Sequence, residues 1–164
     1  MALAPLLRGL EIIQVAVVVR DLEAYATRQS QLLGNGPWRV YEFGPHMMAR
    51  YEYRGMPATG RTLVALNDGH PQIEILQPLS GRSTHQDWLD EHGQGLHHVG
   101  AVVDSVDAVV AAANDEDVGV LSSGEGFGAD GSGRFAYLDT HSRLGMIIEV
   151  IEPPTGLGEP IRRL

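Results

Sequence analysis

The sequence predicts an α+β fold in which one βαβββ unit occurs twice. The segment IIQVAVVVRDLEAY (residues 12–25) has the same outline as LHHVGAVVDSVDAV, and this match pairs Gln14 with His98, 84 residues later. A second block, IEILQP (residues 73–78), matches IEVIEP (residues 148–153). The first half carries 9 more residues between its two blocks than the second half, which predicts an additional hairpin or loop there.

Composition indicates a single compact domain over residues 1–164. Hydrophobic residues make up 43% of a 17.8 kDa chain, which suffices for a core. All 12 basic residues are Arg, and against 21 acids they leave a net charge of -9, so nucleic acid and an anionic membrane are not expected partners. The absence of Cys excludes disulfides and a thiol nucleophile. The apolar segment MALAPLL is too short to span a membrane and lacks the charged region of a signal peptide, so a cytoplasmic location is expected.

The first module is expected over about residues 11–80. Its first strand is the β-branched run VAVVV, and Asp21 is a suitable N-cap for a helix over residues 22–33 that Gly34 ends. Turn signals then separate four apolar segments, which predict strands over residues 38–43, 48–53, 62–67 and 72–77.

A connector helix over residues 83–93 and a second module over about residues 95–153 follow. The connector STHQDWLDEHG opens on Ser83 or Thr84 and closes on Gly93. In the second module, Asp104 or Ser105 begins a helix that runs to about residue 114, and strands are predicted over residues 118–123, 134–139 and 146–152. Residues 154–164 form a C-terminal tail. The stretch GEGFGADGSG (residues 124–133) leads into a strand and not a helix, so it predicts a mobile loop instead of a phosphate cradle.

Four polar residues occupy repeat-matched positions inside apolar strands: Gln14, Glu74, His98 and Glu149. Strands that are apolar on both faces are covered on both sides, so these side chains should be buried. An unpaired buried carboxylate costs several kcal/mol or becomes protonated, and a divalent cation shared by all four groups removes that cost. The alternatives are solvent-facing edge positions, or polar pairs that the backbone satisfies.

This donor set suits particular metal ions and a particular chemistry. Three oxygen donors and one imidazole favour an octahedral Co, Ni, Zn, Mn or Mg divalent ion, with two positions left for water or substrate. A substrate with two nearby oxygens can chelate such an ion, which polarises a carbonyl and stabilises the enolate formed when the α-proton leaves.

The matched blocks resemble signatures of the vicinal oxygen chelate superfamily, which includes glyoxalase I, methylmalonyl-CoA epimerase, extradiol dioxygenases and bleomycin-resistance proteins. The likeness covers residues 11–153 and rests on QVAVVVRDLEAY, IEILQPL, GQGLHHVGAVVDSVDAV and IIEVIEPP. The blocks GQGLHHVG, WLDEHG and GRFAYLDT look most similar to methylmalonyl-CoA epimerase.

The resemblance implies that the two βαβββ modules form a cupped, incomplete barrel around a metal held by Gln14, Glu74, His98 and Glu149. Many members have His at the position of Gln14, and certain epimerases have Gln at the position of Glu74. Because of these differences, the resemblance does not determine which metal is bound. His97, next to a ligand in a strand, is expected on the opposite face, where it supports the site or packs against a helix. The resemblance also implies a homodimer.

The implied activity is that of a metal-dependent isomerase or epimerase that removes a proton α to a carbonyl of a small-molecule substrate, with a methylmalonyl-type acyl-CoA favoured. The resemblance assigns Glu149 as base, and Glu42 is the second catalytic candidate. The alternatives are a glyoxalase I-like lactoylglutathione lyase and a metal-free binding protein of the antibiotic-sequestering kind. An extradiol dioxygenase fits less well, because Gln14 supplies no second His ligand.

Four arginines lie close together in the first half, at the segment that carries the additional residues. They are Arg39, Arg50, Arg54 and Arg61. They are candidates to meet a phosphate or carboxylate, and solvated surface positions are the commoner explanation for such residues.

Overall fold

A single curled sheet of eleven strands organises the chain in the computed structural model, which describes residues 10–164. The strands, in chain order, are β1 (Ile12–Val18), β2 (Arg39–Phe43), β3 (Arg50–Tyr53), β4 (Met56–Pro57), β5 (Arg61–Leu66), β6 (Gln72–Ser80), β7 (Gly95–Val102), β8 (Val120–Phe127), β9 (Gly133–Leu138), β10 (Ile147–Glu152) and β11 (Arg162–Arg163). Their order across the sheet is β11-β2-β5-β6-β1-β7-β10-β9-β8-β3-β4. The predicted α+β class and the doubled βαβββ pattern are confirmed.

Four helices accompany the sheet in the described part of the chain: α1 (Leu22–Leu33), α2 (Thr84–His92), α3 (Val106–Asp115) and α4 (His141–Leu144). The capping residues that the sequence predicted for the first three helices are confirmed. Asp21 accepts a hydrogen bond from the backbone N–H of Ala24 at the start of α1, and Gly34 ends that helix with a φ of 70°. Ser83 and Ser105 cap α2 and α3 in the same way as Asp21.

The two modules repeat the same arrangement on either side of the β1–β7 pair. β1 runs parallel to β6, and β7 runs parallel to β10, while β1 and β7 are antiparallel to each other. Helix α1 covers the outer face of the first module, where Leu22 packs with Trp38 and Ile75. Helix α3 covers the outer face of the second, where Val109 packs with Leu138. The inner faces of both modules form a cup, and α2 packs against it through Leu89.

Each half contributes the outermost strands of the other. The additional hairpin of the first module, β3–β4, does not pair within its own module and instead extends β8 of the second. The tail, in turn, ends in β11, which pairs with β2 of the first module. The sheet is therefore continuous across the repeat and is exchanged at both edges.

The glycine-rich stretch is ordered further than its composition predicts, because β8 continues to Phe127 and only the turn that follows is irregular. Close packing explains the glycines. A Cβ on Gly124 would lie 2.4 Å from Phe135 and 2.6 Å from the Met48 sulfur, so no larger residue fits beneath that ring. The prediction of a loop over the whole stretch is wrong for residues 124–127.

No helix within residues 10–164 has the length and apolar character needed to cross a membrane. The segment MALAPLL lies outside the described residues.

Candidate metal centre

The four repeat-matched polar residues come together at the centre of the cup. Nε2 of His98 lies 3.1 Å from a carboxylate oxygen of Glu149, 3.2 Å from one of Glu74, and 3.3 Å from Oε1 of Gln14. All four side chains are buried, and His98 has no exposed surface. Each comes from a different strand, and the two halves contribute two residues each.

This arrangement fits a bound divalent cation. A single ring nitrogen faces three oxygens, but one N–H can satisfy only one good acceptor, and an oxygen of Glu74 has no aligned hydrogen bond. Burying two carboxylates this close together is costly without a compensating positive charge. Glu74, His98 and Glu149 offer ligand atoms within 4.8 Å of one another, and Gln14 adds a neutral oxygen. Three oxygens and an imidazole nitrogen can together hold such an ion.

Small residues opposite the ligands make room at the centre. In the β1–β7 pair, Gln14 lies opposite Gly100 and His98 lies opposite Ala16. A Cβ on Gly100 would approach Oε1 of Gln14 to 3.0 Å, so a side chain there would crowd the donor group. Within the β1–β7 pair, the residue across from each candidate ligand is therefore too small to crowd it.

Simple strand alternation predicted that His97 would lie on the opposite face from His98, and this prediction is wrong. A register shift in the β1–β7 pair places an extra residue on β7 between His98 and Leu96, and this bulge brings both rings to one side. Their Nδ1 atoms are 2.8 Å apart. His97 also packs against Trp88 of α2. The bulge thus lets His97 contact the ligand and the helix together.

Gln14 is held with its oxygen toward the centre by a neighbour on β6. Its Nε2 donates to Oε1 of Gln72 at 2.9 Å, and Nε2 of Gln72 donates in turn to the carbonyl of Asn67 at 3.2 Å. Because the amide nitrogen of Gln14 is engaged in this way, the oxygen faces His98. Partners of this kind orient metal ligands.

Glu149 is backed by a chain of buried polar groups. It lies directly opposite Tyr137 in the β9–β10 pair, so the two side chains project from the same face of the sheet. The Tyr137 hydroxyl lies 3.2 Å from Nε2 of His85, whose Nδ1 lies 3.2 Å from the hydroxyl of Thr62. Burial holds the pKa of Tyr137 well above its ordinary value, so the phenol keeps its proton and can donate to Glu149.

The charges at the centre depend strongly on one another. Burial by itself would lower the pKa of His98, but the carboxylates of Glu149 and Glu74 raise it to about 9. Burial raises the pKa of Glu149, and the imidazole of His98 opposes that rise. In this chain, then, a positive charge at the centre stabilises the ionised carboxylates.

The remaining lining of the cup is mostly apolar and encloses a cavity of about 290 Å³. Phe43, Met48 and Phe135 line it, and Leu157 of the tail packs against the inner clusters of both modules. The segment after β10 crosses the mouth of the cup, where the backbone N–H of Ala129 donates to the carbonyl of Gly156 at 2.7 Å. The tail is therefore a wall of the cavity.

Glu42 lies apart from this centre. Its neighbours Tyr41 and Val40 show the alternation of β2, since Tyr41 packs inside the cup and Val40 packs under α1. Glu42 shares the outer face with Val40 and pairs with Arg61 at 2.7 Å. The structure does not bring Glu42 to the candidate metal centre.

Only one of the four clustered arginines, Arg39, lines the cup. Arg61 is held by Glu42, and the other two line a groove on the outer face beneath α3. Sequence reasoning singled out none of Thr62, His85 and Tyr137. His85 lies in the first turn of a polar helix, so nothing local distinguishes it from a solvated residue.

The family model of the Glyoxalase/Bleomycin resistance protein/Dioxygenase superfamily matches residues 13–137 of the chain. The chain belongs to this superfamily. That membership and the cupped, doubled fold confirm the family resemblance read from the sequence.

Two curated relatives of this superfamily member show related sequences. It is 30% identical to the mitochondrial methylmalonyl-CoA epimerase of Mus musculus over 118 residues, which are 71% of this chain and 59% of that protein. It is 27% identical over 85 residues to the uncharacterised protein YqjC of Bacillus subtilis, covering 52% of this chain and 60% of that protein. The matches therefore span about 60% of each relative's length.

Solved structures show the same fold at low sequence identity. A Streptomyces coelicolor methylmalonyl-CoA epimerase variant in complex with 2-nitronate-propionyl-CoA aligns with a TM-score of 0.63 at 19% identity, over 90% of this chain and 96% of that one. A methylmalonyl-CoA epimerase in complex with methylmalonyl-CoA and NH4+ aligns with a TM-score of 0.64 at 19% identity, over 92% of this chain and 99% of the other. These two solved structures therefore share the fold of this chain.

Proposed function

We propose that this protein is a divalent-metal-dependent epimerase or isomerase that moves a proton α to a carbonyl, with a methylmalonyl-type acyl-CoA as substrate. The observation that carries the proposal is the convergence of Gln14, Glu74, His98 and Glu149 on one point in a buried cup. These four residues would hold the metal. When bound there, a divalent cation supplies the positive charge that polarises a substrate carbonyl.

Glu149 has the features of the proton acceptor. Its carboxylate lines the cavity and is largely buried, and the exposed part of the side chain, 9%, lets the captured proton exchange with water. Removal of the α-proton forms an O–H bond on Glu149 and breaks the C–H bond; the C–H electron pair becomes the C=C bond of the enolate, and the carbonyl π pair moves onto the oxygen. The Tyr137 hydroxyl, which projects from the same face as Glu149 directly across the strand pair, can donate a hydrogen bond to that carboxylate and steady it as its charge changes.

Epimerisation also needs a proton donor on the other face of the reacting carbon, and we propose Glu74 for this role. Glu74 and Glu149 occupy matched positions of the two halves and approach Nε2 of His98 from opposite modules, at 3.2 and 3.1 Å. A Glu74 carboxyl that has first taken a proton from water would deliver it to the second face: the O–H bond on Glu74 breaks, the C=C pair of the enolate forms the new C–H bond, and the carbonyl is restored. Glu42, expected as the second catalytic group, is on the outer face and receives no role in this scheme.

The substrate class rests on the cavity and on the relatives. Apolar side chains line most of the cup, and the carboxylates of Glu74 and Glu149 are part of its lining. Related structures hold methylmalonyl-CoA and 2-nitronate-propionyl-CoA. An acyl-CoA is therefore the first substrate to test.

The test measures exchange of the α-proton with solvent. The protein is stripped with a chelator, reloaded with Co(II), and incubated with methylmalonyl-CoA in deuterium oxide, where mass spectrometry should show deuterium at the α-carbon. Glu149→Gln should lower the exchange rate by about 100-fold or more, because the amide cannot accept the proton. The matched control is Glu52→Gln, which removes a carboxylate paired with Arg50 on the outer groove.

Other outcomes identify the alternatives. Turnover of methylglyoxal with glutathione, without exchange on any acyl-CoA, would favour a glyoxalase I-like lactoylglutathione lyase. Protein purified without bound metal that takes up an apolar ligand and catalyses neither reaction would favour a sequestering protein. The homodimer remains a prediction, and light scattering would test it by measuring the mass of the protein in solution. The cytoplasmic location also remains a prediction.

A further inference from the structure

The rim of the cup carries two arginines directly opposite each other, in a chain with a net charge of -9. In the β2–β11 pair, Arg163 lies across from Arg39. Directly opposite residues of an antiparallel pair project from the same face, and like charges there are destabilising. The neighbouring residue shows the alternation, because Arg162 points to the outer face and pairs with Glu23 of α1 at 2.7 Å. The Arg39–Arg163 pair breaks a local rule of sheet pairing, which is a mark of functional positions.

Arg39 is connected to the metal centre by a row of paired residues. It lies opposite Leu66 on β5, and Leu66 lies opposite Glu74 on β6, so all three project into the cup. Two strand spacings correspond to roughly 10 Å between the backbones of Arg39 and Glu74. Among the described residues that line this cavity, Arg39 is the sole Arg, and the acids there are Glu74 and Glu149.

Among residues 10–164, the ion-pair partner of each arginine is an exposed acid. Nη1 of Arg39 contacts Asp68 at 2.6 Å, and the side chain of Asp68 is 69% exposed. Arg163 approaches Glu159 at 3.7 Å, and the side chain of Glu159 is 94% exposed. Exposed ion pairs contribute little, so a ligand oxyanion can replace these acids at small cost. Guanidinium groups also bind carboxylate and phosphate oxygens in a two-point geometry.

We infer that Arg39 and Arg163 form an oxyanion-binding rim that holds the anionic part of the substrate while its α-carbon lies at the metal centre. The inference rests on the proposed function and adds the charge requirement to it: the substrate carries a carboxylate or phosphate within reach of the rim. On an acyl-CoA that group is either the acyl carboxylate or a phosphate of the carrier.

Binding of two probes by titration calorimetry tests the rim and separates the two sources. Coenzyme A carries the phosphates without the acyl group, and the methylmalonyl thioester of N-acetylcysteamine carries the carboxylate without phosphates. Arg39→Gln and Arg163→Gln should each raise the Kd of one probe by about 10-fold. Weaker binding of coenzyme A would identify a carrier phosphate as the bound group, and weaker binding of the other thioester would identify the acyl carboxylate. Asp68→Asn should lower that Kd several-fold, because it frees Arg39, and a merely structural Arg39 would show no such gain.

The matched control is Arg61→Gln, which removes an arginine of the adjacent strand that is paired with Glu42 on the outer face. This variant should bind both probes as the unaltered protein does. Unchanged Kd values for both probes in the Arg39 and Arg163 variants would overturn the inference. Because these titrations measure a Kd and not a rate, failure of the α-proton exchange reaction is recorded separately and counts against the proposed function alone.

Discussion

The buried imidazole of His85 should make stability depend on pH in a defined window. Burial lowers the pKa of His85 from 6.5 to about 3, and the charge on nearby His98 acts in the same direction. The rings of His97 and Tyr137 pack against His85, and its Nδ1 faces Thr62. No carboxylate is among these contacts, so a proton on His85 has no acceptor of opposite charge.

The sign follows from linkage. In the unfolded chain His85 takes up a proton below about pH 6.5, whereas in the folded protein it stays neutral until about pH 3. Acid therefore favours the unfolded chain, and the full contribution to stability is present above pH 6.5 and declines as the pH falls. One such group lowers the free energy of unfolding by roughly 2.5 kcal/mol between about pH 7.5 and pH 4.5.

Urea denaturation at a series of pH values measures this effect. His85→Gln keeps a polar side chain that does not titrate, so the decline toward acid should be smaller in this variant by roughly 2.5 kcal/mol over that window. His97 is also buried with a lowered pKa, and it contributes its own decline to both proteins. His46→Gln, at an exposed position, is the control. Equal pH dependence in the unaltered protein and His85→Gln would refute the reasoning.

Two further predictions concern the metal centre and the core. His98→Ala should lose most of the metal measured by elemental analysis after reloading, because its nitrogen lies at the centre of the donor set; unchanged metal content would contradict the assignment. Gly124→Ala should lower the free energy of unfolding by about 1–3 kcal/mol in thermal or urea melts, since its Cβ would overlap the Phe135 ring. Gly119→Ala meets no atom within 4 Å and is the control, so an equal loss there would show that crowding is not the cause.

Local signals in the sequence were sufficient for most of the elements. Helix α1 begins after Asp21 and ends before Gly34 as predicted, because caps act through the backbone of the same turn. The repeat supplied the candidate ligands, since it singled out polar residues at matched positions in apolar strands. The pairing of strands that are far apart in the chain could not be predicted from such signals. Nothing near β3 in the chain indicates that it extends β8, because that choice depends on how the two modules meet.

The orientation of particular side chains also depended on tertiary structure. The bulge at His97 changes which way its ring points, and a bulge is invisible in the alternation of apolar and polar residues. Its counterpart in the first half is a second register shift, between Ile12 and Gln14. Glu42 and Tyr41 are adjacent on one strand, and only packing against α1 and the cup decides which of them faces inward.

The exchange of edge strands has a consequence for how the chain folds during synthesis. The edge of β2 stays unpaired until residues 162–163 have left the ribosome, although β2 itself emerges more than a hundred residues earlier. An unpaired strand edge is a template for pairing with other chains. By contrast, β3 has already been synthesised when β8 leaves the ribosome, so β8 can pair with it at once. The first half of the repeat is thus the vulnerable one in the cell, and a truncation that removes only the last few residues should aggregate during expression even though the metal centre is untouched.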